Sequence, residues 1–268
     1  MTTSRTEYDG LLRRQQRIWL ALLGKVAIIL AIVLISFVVV GLFDYQRISE
    51  GIPDFFGMFA EMLPPDFSRA PEWIEPLIDT IAMSVAGTAL AIALSLPLGF
   101  LAAKNTTPHV VVFWFARMTL NITRAIPELI LGIILVAAVG FGTLPGVLAL
   151  GLHSVGMLGK FFAEAIEHTD EAPIEAARAV GATEMQTIWH SILPQVFPQM
   201  ADVSFYRWEY NFRASMVLGA VGAGGIGFEI IGALRLLKYE EVSALLIVVL
   251  VMVTLVDGLS NYLRQKFI

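Results

Sequence analysis

Six apolar stretches, most of them longer than the roughly 20 residues that cross a bilayer, dominate this chain. They cover residues 20–43, 77–103, 110–141, 144–165, 196–221 and 242–262. The hydrocarbon core offers no water to unpaired peptide groups, so each stretch must satisfy its own N–H and C=O groups as a helix. The predicted fold class is an all-α membrane protein with six transmembrane helices. Composition agrees: 57% of the 268 residues are hydrophobic and only 15% are charged, against about 25% charged in soluble domains. The first stretch is too long for a signal-peptide core and lacks a small-residue cleavage site, so it is expected to remain as an anchor. The third is too long for one perpendicular crossing. Its start, with Trp114 and Arg117, is expected at the interface, and Pro127 is expected to kink the helix.

Orientation follows from the placement of Lys and Arg. The N-terminal tail carries Arg5, Arg13, Arg14 and Arg17, the C-terminal tail carries Arg264 and Lys266, and Lys104 falls on the same side. Residues 44–76 hold seven acidic residues against Arg47 and Arg69, which suits the outer face. Arg235 and Lys238 fall outside and run against the scheme. Both termini and the loop 168–195 are therefore expected in the cytoplasm. The chain divides into residues 1–72, comprising tail, first span and external acidic loop, and residues 73–268, a five-span core carrying the loop 168–195. Without cysteine there is no disulfide or thiolate metal site. A net charge of −5 with no basic run gives nucleic acid no footprint.

The loop 168–195 is polar and amphipathic, and reads as two short helices. Asp170 caps the first, with Pro173 tolerated in its first turn. Gly181 stands where that helix must stop. Thr183 opens the second, with Gln186 at capping-box spacing. Met185, Ile188, Trp189 and Ile192 then form one apolar stripe, and Pro194 is expected to end the helix. A hairpin lying on the membrane surface is the alternative. The small residues Ala176, Ala177 and Gly181 suit close helix docking better than lipid contact.

Ionisable residues within spans are expensive there and are functional candidates by default. Arg124 and Glu128, and likewise Glu209 and Arg213, stand four residues apart, so each pair is expected to neutralise itself on one helix face. One reading makes these pairs structural. The other makes Arg124, Glu128, Arg207, Glu209, Asn211 and Arg213 the lining of a path in which guanidinium forks meet anionic oxygens. His153 and Ser154, in the fourth stretch, are weaker candidates, since a lone membrane histidine commonly serves as an interhelical hydrogen-bond partner.

Residues 219–227 contain a literal G-x-G-x-x-G at Gly222, Gly224 and Gly227. It follows a membrane helix rather than a strand, so it is no dinucleotide fingerprint. Small residues at four-residue spacing (Ala220 and Gly224, Ala223 and Gly227) predict close packing, and Gly225 permits a break or gate near the outer end of the fifth span. Neither Gly-Lys pair is followed by Ser or Thr, so no P-loop is present.

Glu175, Ala176, Ala177, Gly181, Leu193 and Pro194 match the coupling-loop pattern of ABC importer permeases, with Ser191 standing where that pattern has Ile. From about residue 73 to 264 the chain resembles a type I ABC importer permease of the methionine-importer class with one additional N-terminal span. The segments 124–129, 152–160 and 206–213 make it most similar to the phosphonate-transport permeases. The resemblance implies a multi-pass protein of the bacterial cell (inner) membrane and a homodimer. It also implies two ATP-binding subunits docked on cytoplasmic coupling helices, and an extracytoplasmic binding protein delivering a phosphonate- or phosphate-type anion. It further implies no catalytic site and no cofactor in this chain, ATP and magnesium being held by the partner subunits. A permease for methionine or another small solute is the alternative. A secondary transporter would call for an inverted repeat, and none is legible here.

Overall fold

The computed structural model describes the backbone of residues 3–267, with side chains described at residue 10 and from residue 14 onward. The side chains of Arg5 and Arg13, used above for orientation, lie outside the described residues. All regular structure among the described residues is helical. The chain forms two units, Met1–Ala60 and Glu61–Ile268.

The first unit holds α1 (Thr3–Val39) and most of α2 (Tyr45–Glu61). The window Arg14–Val39 is long and apolar enough to cross a membrane. Gly41 ends α1 with a φ of +75°. Its N–H bonds back to Val38 O and that of Leu42 to Phe37 O, so the last carbonyls of the helix are satisfied.

The second unit opens with a 3₁₀ turn (Ala70–Trp73) running into α3 (Ile74–Ala102). Then come α4 (Val110–Ala125), α5 (Glu128–Val139), α6 (Thr143–Glu167) and α7 (Glu171–Ala179). The chain continues through α8 (Glu184–Thr187), α9 (Leu193–Leu218), α10 (Ile226–Arg235) and α11 (Tyr239–Phe267). Among the described residues four stretches qualify singly as spans, and the number rises to six if each of two bent pairs counts as one. In the first bent pair α4 and α5 meet at 85°. That is a near right angle where sequence predicts a kink. Pro127 supplies no N–H, and both it and Ile126 take extended conformations, so the helix stops and restarts. The second bent pair joins α9 to α10 across the glycine run, at 59°.

Helix α6 is the most enclosed span, packed on α3, α4, α5 and α9. Small residues let the backbones approach. A methyl group built on Gly99 would lie 2.8 Å from Phe162 Cβ, and one on Gly156 would collide with Leu120 O. Where lipid tails are as apolar as Leu, close van der Waals contact of this kind holds helices together. Leu120, Leu158, Phe162 and Ile166 fill the core at the α7 end of the bundle. Trp73, Ile226 and Leu245 fill the core at the opposite end.

Candidate functional site

The polar centre of the second unit is built on α9, which carries Arg207, Tyr210 and Asn211 within little more than one turn. Arg207 is 2% exposed. Its Nε donates to Ser154 Oγ on α6 at 2.8 Å, and its Nη1 reaches Met157 Sδ at 3.2 Å. The guanidinium lies 4.1 Å from the centre of the Tyr210 ring, a cation–π contact. Its Nη2 is buried and has no hydrogen-bond partner. Among the described residues Arg207 makes no ion pair.

Further hydroxyls extend the network into α3. Ser154 donates to Asn211 Oδ1 at 3.0 Å, and Asn211 Nδ2 donates to Thr88 Oγ1 at 2.9 Å. Thr88 bonds back to Ser84 O at 2.7 Å, and Trp208 Nε1 donates to Ser84 Oγ at 3.2 Å. On the other side of Arg207, the Tyr210 hydroxyl donates to Glu128 Oε1 at 2.6 Å. His153 Nε2 stands 3.3 Å from Glu128 Oε2, and its Nδ1 stands 2.9 Å from Ile126 O. A backbone carbonyl only accepts, so this contact assigns a proton to Nδ1. The α4–α5 break is what brings Ile126 O and Glu128 to face His153.

Glu128, His153, Ser154, Arg207 and Asn211, named from sequence, are thus brought together. The expected pair Arg124–Glu128 is not formed. Arg124 ends α4 on an exposed face, and the right-angled break turns Glu128 away from it toward α6 and α9. Nor does Glu209 pair with Arg213. Arg213 Nη1 meets Asp257 Oδ1 on α11 at 2.9 Å, while Glu209 Oε1 lies 3.8 Å from Arg264 Nη2. The packing of α11 along α9 offers each charge an interhelical partner at better geometry than its own helix does. Tyr210, Thr88, Ser84 and Asp257 were missed. Asp257, an acid in an apolar span, was visible as a signal.

The glycine run makes the break that the sequence expects at Gly225, with a 59° bend, and does not stay one helical stripe of small residues. Gly222, Gly224 and Gly225 take φ values of +101°, +80° and +71°, so the chain folds over instead of continuing as one helix face. Gly219 ends up against Gly227, where an added methyl group would meet Gly227 Cα at 2.8 Å. Gly222 O accepts from Gly142 N at 3.1 Å, and Ile226 N donates to Thr80 Oγ1 at 2.9 Å. The turn is thereby tied to the α5–α6 connection and to α3.

In the insert, Asp170 caps α7 and Thr183 with Gln186 forms the capping box. Gly181 has φ +82°, with its N–H on Arg178 O and that of Ala182 on Ala177 O. Glu175 and Ala176 are exposed and Ala177 is half-buried. The apolar stripe splits. Ile188 and Ile192 turn into the core, while Met185 and Trp189 join Val180 on the surface. A π turn at Ile188–Ile192 rotates the helix by an extra residue and separates the two halves of the stripe. Pro194 does not end a helix: it lies in the first turn of α9, where its missing N–H costs least, next to half-buried Leu193. Ser191 donates to Pro173 O at 3.2 Å and so ties the second short helix to the first.

A family model described as "Binding-protein-dependent transport system inner membrane component" matches residues 95–268. The phosphite transport system permease protein PtxC of Stutzerimonas stutzeri is 62% identical over 249 residues, covering 93% of this chain and 90% of that protein. The phosphate-import permease protein PhnE of Mycolicibacterium smegmatis is 39% identical, over 79% of this chain and 40% of the relative. Among solved structures, the inward-facing MetNI methionine ABC transporter matches with a TM-score of 0.64 at 20% identity, covering 73% of this chain and 96% of that one. At that identity the likeness speaks to fold alone.

Proposed function

This chain belongs to the family of binding-protein-dependent transport system inner membrane components, and from that premise we propose that it is the transmembrane subunit of an ATP-driven importer of phosphite-, phosphonate- or phosphate-type oxyanions. In this reading two copies enclose the path, and two ATP-hydrolysing subunits dock on the cytoplasmic inserts 168–195. An extracytoplasmic binding protein delivers the anion at the opposite face, and both termini are cytoplasmic. Phosphite is the first substrate to test, because the relative at 62% identity bears that name.

The observation that carries the substrate reading is Arg207. A buried cation without a carboxylate is costly, and its one unpartnered nitrogen offers a hydrogen bond that an oxyanion would complete. The neighbouring donor Tyr210 is tied to Glu128 by a hydrogen bond that a passing anion would compete for, with His153 standing against the same carboxylate. A path needs groups of this kind, because a site that binds too well does not release. Exposed Val180, Met185 and Trp189 give the insert an apolar face suited to a protein cleft.

The test is ligand-stimulated ATP hydrolysis by the full assembly in liposomes, with phosphite, methylphosphonate, phosphate and methionine each presented with the binding protein. Stimulation by one or more phosphorus oxyanions, lost in Arg207→Gln, is the expected result. Stimulation by methionine alone would overturn the substrate reading, and solute movement by this chain without ATPase subunits would overturn the importer reading.

A further inference from the structure

Asp44 Oδ1 accepts from Arg47 N at 3.2 Å and so caps α2. The sequence of α2, YQRISEGIPDFFGMFAE, is sharply two-faced. At helical spacing Ile48, Ile52, Phe55, Phe56 and Phe59 fall within an arc of about 100°. Arg47, Glu50, Asp54 and Glu61 occupy the opposite side. None of its residues is buried, and all five large apolar side chains stand exposed. The rings of Phe55 and Phe59, 4.8 Å apart, make that face continuous.

What covers this face follows from where the chain puts it. The apolar window of α1 is 26 residues long, or about 39 Å of helix at 1.5 Å per residue, more than a hydrocarbon core of about 30 Å. Its C-terminal end therefore reaches the membrane boundary. The turn that follows is compact, with Asp44 N bonded to Gly41 O, so α2 starts at that boundary. Nine residues beyond Glu61 the chain enters the next span at Ala70. Both ends of α2 are thus tethered to one face of the membrane.

We propose that α2 is an interfacial helix lying in the membrane plane on the side where α1 emerges, with Ile48, Ile52, Phe55, Phe56 and Phe59 sunk into the headgroup–acyl boundary. Burial of five large apolar side chains drives the attachment. The polar face carries Glu50, Asp54 and Glu61 against Arg47 alone, so anionic headgroups contribute no attraction. The assignment does not depend on what the protein transports.

The sequence contains no cysteine, so single cysteines across α2 are specific handles in the full chain. Spin labels on Ile48→Cys, Ile52→Cys, Phe55→Cys and Phe59→Cys are compared with Glu50→Cys and Asp54→Cys in phosphatidylcholine vesicles. Oxygen collision should exceed collision with a nickel chelate at the first four and fall below it at the last two, oscillating with the 3.6-residue period. The oscillation, read over many positions, survives local damage from any one substitution. High nickel access on both faces would place the helix in water. Low access to both reagents on the apolar face would place it against protein. Either would overturn the proposal, as would a pattern that appears only when phosphatidylglycerol is added.

Discussion

Ser154 Oγ accepts a hydrogen bond from Arg207 Nε at 2.8 Å and donates one to Asn211 Oδ1 at 3.0 Å. One hydroxyl on α6 therefore positions Arg207 and Asn211 of α9 together. Arg207→Gln should assemble and fail in transport, and Arg207→Lys should recover only part, since an ammonium lacks the guanidinium fork. Ser154→Ala leaves a buried donor and a buried acceptor unmet, a loss of about 1–3 kcal/mol in stability. Copurification with the ATPase subunit scores assembly and uptake of labelled phosphite scores function. Wild-type uptake by Arg207→Gln would remove the site from the path.

Arg213 and Asp257, bonded at 2.9 Å, give a prediction about α9 and α11. Removing one partner strands a charge in a membrane span, so Arg213→Gln and Asp257→Asn should each lower thermal stability more than the double substitution does. A coupling of about 1 kcal/mol is expected for a half-exposed pair of this geometry. The double variant should retain uptake. If it assembles normally yet does not transport, Arg213 acts on the anion.

Gly181→Val tests the insert. A Cβ there meets nothing within 4 Å, but the φ of +82° remains wrong for it. The left-handed conformation then costs about 1–2 kcal/mol, confined to a surface turn. The protein should stay folded in the membrane and lose affinity for the ATPase subunit. Unchanged copurification and unchanged coupled ATP hydrolysis would deny the insert its docking role.

Two glycines of α10 should respond in opposite directions. A methyl group on Gly227 would collide with Met216 O, against backbone that cannot move aside, whereas Gly232 has open space within 4 Å. Gly227→Ala should destabilise by at least about 1–3 kcal/mol. Gly232→Ala, in an ordinary helical turn, should stabilise by about 0.5–1 kcal/mol. Thermal unfolding in one detergent separates the two. Equal shifts would mean the α9–α10 turn is looser than these contacts require.

What was legible in the sequence is local. The apolar runs at 77–103 and 144–165 are helices because peptide groups in hydrocarbon have no other partner. Asp170, Thr183, Gln186 and Gly181 do at the helix ends what their side chains and φ preferences dictate, since their partners lie within four residues. The family likewise follows from the sequence, through the insert and the polar runs near Arg124 and Arg207. The tertiary structure decided which charges meet. Spacing along a helix names only neighbours on that helix, and it paired Glu128 with Arg124 and Glu209 with Arg213. The right-angled break at Ile126–Pro127 turned Glu128 to Tyr210 and His153, and the approach of α11 gave Arg213 to Asp257. The π turn that divides the apolar stripe at Ile188 has the same origin. Packing of Ile188 and Ile192 into the core outweighs one regular hydrogen-bond step, and no local propensity encodes that balance.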